Sequence, residues 1–114
     1  MGISKELLSE VLGKKVDKVY TADNEGNNFK TFVRPRFGDF VDEINIYELA
    51  HRHKEWAWNN GYEISSFKAN HSGYWLAIVK IIDFNIPPLG FTDNTEPKVI
   101  FKACEWILKE NYDK

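Results

Sequence analysis

The sequence has a single cysteine, Cys104, in 114 residues. A lone thiol closes no internal disulfide and builds no multi-cysteine zinc site, so nothing here is framed for an oxidising compartment. Long apolar runs are missing too. The longest, Tyr74–Val79 followed by Ile81-Ile82, is broken by Lys80 and falls far short of the ~20 residues that span a bilayer. No charge of one sign dominates. Fifteen Lys+Arg against 17 Asp+Glu give a net charge of −2, too acidic for a protein devoted to phosphate backbones and too mild for a DNA mimic. The first residues, Met1-Gly2-Ile3-Ser4-Lys5-Glu6, contain no apolar segment after a basic patch and so read as no signal peptide. Glu6 stands where a myristoylation signal needs Ser or Thr. The expectation is a cytoplasmic protein of a bacterial host cell, without membrane association. A P-loop, a dinucleotide glycine fingerprint, a nucleophile elbow and a His-Glu-x-x-His pair are all missing. No motif therefore gives a reason to propose an enzyme, a cofactor or a metal.

Aromatic residues are plentiful. Four Trp, five Tyr and eight Phe within 43% apolar composition exclude a disordered chain. The length suits one domain over residues 1–114. Ser4 is placed to cap a helix over 5–14 with an apolar stripe of Leu7, Leu8, Val11 and Leu12, ended by Gly13. Strands are expected at 15–22 and 29–34 around the turn-forming residues 23–28, joined as a hairpin. Residues 36–43 read as an irregular connection. Asn45 and Glu48 form a capping-box pair for a helix over 46–60, stopped by Gly61. Further strands are expected at 62–67 and 74–82. The second is apolar on both faces, which calls for a central strand with cover on both sides. Residues 83–94 read as a Pro/Gly loop. Thr95 caps a last helix, with Pro97 in its first turn, running to about residue 110. The order is α-β-β-α-β-β-α. It implies an α+β domain with a mainly antiparallel sheet of about four strands, arranged as a helix/sheet/helix sandwich.

Several residues carry potential chemistry. His51 and His53 are two apart, and on a helix such side chains diverge by about 200°, so they do not chelate one ion. His53 falls on the apolar stripe and reads as a hydrogen-bonded core residue. Cys104 falls on the stripe of the last helix, where burial makes a thiol inert. Asp39, Asp42 and Glu43 precede a helix and suit its dipole better than catalysis. Arg34 and Arg36, flanked by Phe32 and Phe37, form a small cluster able to stack a base or hold a phosphate, and equally able to face a partner. Trp58 points away from the apolar stripe of its helix, beside Tyr47, His51 and Lys54. An exposed Trp is a preferred interface anchor. Ile86, Leu89 and Phe91 in the 83–94 loop pose the same choice between folding back on the core and facing a partner. The candidate interaction surface is therefore Arg34, Arg36, Phe37, Trp58, Leu89 and Phe91.

Two segments carry a resemblance. The middle helix starts Asn45-Ile46-Tyr47-Glu48-Leu49-Ala50 and carries Glu55-Trp56-Ala57-Trp58 near its end. The last helix starts Thr95-Glu96-Pro97-Lys98-Val99-Ile100 and continues Phe101-Lys102-Ala103-Cys104. This layout resembles small uncharacterised phage and prophage proteins of the phage ABA sandwich type and the NinX-like group, over about residues 45–110. The resemblance implies a helix–sheet–helix sandwich and a phage or mobile-element origin. It brings no activity and no functional residues. Taken together, these observations lead to an expectation of a non-enzymatic phage or prophage accessory protein that binds a host or viral protein, such as an inhibitor of bacterial defence. A small-ligand or nucleotide binder using Arg34, Arg36 and Phe37 is the alternative. A small enzyme built on His51, His71 and the carboxylates of Asp39–Glu43 is the third reading. Nucleic acid is not the expected partner. A homodimer through an edge strand or through Trp58 is compatible with the sequence.

Overall fold

A computed structural model describes residues 3–13, 15–16, 18–21, 28–33, 40–69, 73–83 and 87–112, with the backbone alone for 18–21, 28–33, 40–43 and 112. The fold is α+β, and its elements follow the order α1 (Lys5–Leu12), β1 (Lys18–Thr21), β2 (Asn28–Val33), β3 (Phe40–Asn45), α2 (Ile46–Asn59), β4 (Tyr62–Lys68), β5 (Trp75–Ile81), β6 (Leu89–Asp93) and α3 (Glu96–Tyr112). All strand pairing is antiparallel. The strands form two three-stranded sheets, β1-β2-β3 and β4-β5-β6, in place of one sheet of about four strands.

The two additional strands have identifiable causes. β3 reads Phe-Val-Asp-Glu-Ile-Asn, and its central acidic pair hides the alternation of a strand. It nonetheless pairs along all six residues of β2, and Asn45 ends the strand and caps the next helix at once. β6 follows Pro87-Pro88 and contains Gly90, residues that read as loop. It is an edge strand, the one place in a sheet where such residues are tolerated.

Helix ends follow the expected chemistry. Ser4 Oγ accepts from the Leu7 N–H at 3.1 Å, and Gly13 closes α1 at φ 69°. Asn45 Oδ1 accepts from the Tyr47 N–H at 2.9 Å. Glu48 does not complete a capping box; its carboxylate takes Arg52 at 3.1 Å instead. Gly61, at φ 90°, follows the last turn of α2 in the left-handed region that glycine enters without strain. Thr95 Oγ1 accepts from the Lys98 N–H at the start of α3.

The core forms where α2 and α3 pack on the second sheet, with α1 against both helices. α3 contacts β4, β5 and β6 as well as α1 and α2. Val99, Ala103, Cys104 and Ile107 are fully enclosed, together with Leu7 and Leu8 of α1, Leu49 and Ala57 of α2, and Ala77 of β5. β5 is the central strand of its sheet, as its composition requires. Its two faces differ, however. Ala77 and Val79 are buried under the helices, whereas Leu76 and Ile78 on the other face are half-buried. Phe67, paired opposite Leu76, is 45% exposed, and Tyr74 is 42% exposed. Among the described residues no helix covers this second face, so the arrangement has helices on one side of the sheet.

Candidate interaction surface

α2 is amphipathic because its apolar residues recur at helical spacing. Ile46, Leu49, Ala50, His53, Trp56 and Ala57 face the core. The opposite stripe holds Tyr47, His51 and Trp58, which fall within about 40° of one another at 100° per residue. Tyr47 is 61% exposed and Trp58 57%. Between them His51 Nε2 meets Glu55 Oε1 at 2.7 Å, and both side chains stand in solvent. His51, Lys54, Glu55, Trp58 and Asn59 line a shallow, open depression of about 390 Å³. Two large amphipathic rings thus flank the His51–Glu55 contact on one face of the helix. Such a surface offers apolar area at low entropic cost with a polar rim, the composition of a protein-binding patch.

The remaining predicted site residues are dispersed. Leu89 stands at the start of β6 and is 43% exposed. Phe91 is not exposed in the same way. Its ring lies 6.1 Å from Trp106 at a tilt of 53°, half-buried against the core. α2 packs over β4, and β6 is the opposite edge of that sheet, so Trp58 and the β6 pair do not share one patch. Arg34, Arg36 and Phe37 lie outside the described residues, as do Asp39, His71 and Ile86; Asp42 and Glu43 are placed by backbone only, in β3. Of the His and carboxylate groups in the third reading, only His51 has a described side chain. Among the described residues no group of three or more His, Cys, Asp or Glu is arranged to hold a metal ion. No helix there is long and apolar enough to cross a membrane.

His53 and Cys104 meet in the core, and neither is set up as a nucleophile or base. His53 Nδ1 donates to the Leu49 carbonyl at 2.7 Å, while Nε2 is buried with no partner. Its ring packs against Phe101 at 4.7 Å. Burial in this apolar setting lowers its pKa to about 4, against a smaller opposing effect of the Leu49 hydrogen bond. The Cys104 thiol donates to the His53 main-chain carbonyl at 3.6 Å, not to the ring. Burial raises its pKa far above the usual thiol range, with the Glu105 charge adding to the effect.

One polar cluster escaped the sequence reading. Ser66 Oγ on β4 accepts from Lys54 Nζ of α2 at 2.9 Å and donates to Glu96 Oε2 of α3 at 2.8 Å. The three residues lie 12 and 30 positions apart, so no local spacing signals them. Lys54 Nζ and Glu96 Oε2 thus hold the hydroxyl from two helices, and the cluster acts as a clamp between three elements. A second open depression, about 430 Å³, is lined by Ser4, Glu6, Glu105, Trp106, Leu108 and Lys109 where α1 meets α3. No protein-family model, curated protein or solved structure matches the chain.

Proposed function

We propose that the chain acts by binding another protein through the exposed face of α2. The single observation that carries this reading is Trp58, 57% exposed on a helix whose other face is fully anchored in the core. A Trp held at that exposure leaves more than half of its surface to solvent, and truncating such an anchor in an interface costs about 2 kcal/mol or more of binding. Tyr47 on the same stripe extends the apolar area, and the exposed His51–Glu55 and Arg52–Glu48 pairs form its polar border. The biological setting belongs to the same proposal. The resemblance of residues 45–110 to phage ABA sandwich and NinX-like proteins supports a phage or prophage accessory role directed at a host or viral protein, such as an inhibitor of bacterial defence.

The test is affinity capture of the tagged chain from a bacterial lysate, with and without nuclease, alongside a Trp58→Ala variant of unchanged thermal stability. The reading predicts one protein enriched in both lysates and lost with Trp58→Ala. Capture that survives Trp58→Ala, or that disappears with nuclease, defeats it.

A further inference from the structure

The register of the second sheet leaves one edge open in a defined way. The Ala69 N–H donates to Tyr74 O at 3.0 Å and the Ile82 N–H to Gly61 O at 2.9 Å. In an antiparallel ladder, pairs that exchange hydrogen bonds alternate with pairs that do not. Residues 63, 65 and 67 therefore bond across to β5, and the main-chain groups of Trp75, Ala77 and Val79 turn toward β6. Asp93, Phe91 and Leu89 face back to meet them. Gly90 and Thr92, between these, direct their N–H and C=O groups away from the sheet. Among the described residues a single partner reaches this edge: Lys102 Nζ of α3 donates to Thr92 O at 2.6 Å. The opposite edge, β4, is flanked by α2, whose Lys54 reaches Ser66.

We propose that the β6 edge binds an extended, acidic segment of another protein, added to the sheet as a fourth strand. Unpaired main-chain groups on an exposed edge strand specify an extended backbone as their complement. Side chains specify the rest. On the helix side of the edge stand Leu89 and the Phe91–Trp106 pair, so every second residue of the incoming strand meets apolar surface. Charge sets the residues near α3. Lys98, Lys102 and Lys109 fall within about 40° on that helix. The carboxylates on this side are Asp93, 3.5 Å from Lys102, Glu105, which accepts from Ser4 Oγ at 2.7 Å, and Glu6 of α1, which shares a depression with Glu105 and Lys109, so Lys98 and Lys102 are the cations nearest β6. A strand that takes Thr92 O displaces the Lys102 ammonium from that carbonyl, and a carboxylate on that strand joins Asp93 in pairing it. A second copy of this chain is a poorer occupant. Two-fold pairing centred on Phe91 displaces both Lys102 groups and brings the two like charges together. This edge is separate from the α2 face and does not depend on it.

The test is titration of the full ¹⁵N-labelled chain with acetyl-(Glu-Val)₃-amide and with its Lys-Val counterpart. The amide resonances of Gly90 and Thr92 are expected to shift and their hydrogen exchange to slow, with the acidic peptide preferred by about tenfold. Gly90→Ala retains binding, because an added methyl meets only Leu76 Cδ1 at an ordinary 3.8 Å. Gly90→Pro removes an N–H that the ladder does not use and abolishes binding. Lys102→Glu, on the exposed side of α3, reverses the charge preference without touching the core and so carries the test if Gly90→Pro unfolds. Absence of shifts at Gly90 and Thr92 at millimolar acidic peptide, equal binding of the basic peptide, shifts confined to α2 or β4, or a dimer formed through β6 would each overturn the proposal.

Discussion

The buried imidazole of His53 makes a quantitative prediction about stability and pH. In the unfolded chain a histidine titrates near 6.5; in the folded protein burial lowers it to about 4. Between these values the unfolded chain binds a proton that the folded one refuses. Stability contributed by keeping the ring neutral is therefore complete above pH 6.5 and is lost as pH falls toward 4. At ~1.4 kcal/mol per unit, the full difference is about 3.5 kcal/mol, and about 2 kcal/mol of it is already lost at pH 5. His53→Leu isolates this contribution from that of the carboxylates. Leucine fills a similar volume, removes the unpartnered Nε2 and leaves the Leu49 carbonyl to the helix. Urea unfolding of both proteins at pH 7 and pH 5 is the assay. The wild type should lose about 2 kcal/mol more than the variant on acidification, an amount readily resolved by linear extrapolation. Parallel losses in the two proteins would falsify the assignment of His53 as a neutral, desolvated core group.

Three further outcomes follow from the packing. Cys104, enclosed and with its pKa raised, should resist a thiol reagent in the native protein at pH 8 and react at full stoichiometry in denaturant; fast native labelling would contradict its burial. Asn45→Ala removes the side-chain acceptor of the Tyr47 N–H and should cost about 1 kcal/mol in chemical denaturation, with an unchanged result excluding a real cap. Ser66→Ala breaks both bonds of the Lys54–Ser66–Glu96 clamp and should destabilise by about 1–3 kcal/mol, whereas a neutral effect would mean that water replaces the hydroxyl without loss.

Local chemistry made much of the fold legible in the sequence. Ser4, Asn45 and Thr95 carry side-chain oxygens that satisfy the first N–H groups of a helix, and Gly13 and Gly61 supply the left-handed residues that end one. Spacing alone put Leu49, His53 and Trp56 on one face of α2 and Trp58 on the other, because helical geometry fixes those directions whatever the helix packs against. The apolar stripe of α3 placed Cys104 inside for the same reason.

Tertiary structure decided what depends on distant partners. β3 and β6 became strands because neighbours offered them complete ladders, against the acidic pair in one and the proline and glycine signals in the other. The division into two sheets is a matter of which strands meet, which no local pattern encodes. Ser66 gained its clamp only because β4 brings it to both the body of α2 and the first residue of α3. β6 is open because it ends its sheet, and register decides which groups it presents: an offset of one residue determines whether the main-chain groups of Gly90 and Thr92 face the sheet or solvent, and that offset is set by the whole pairing with β5.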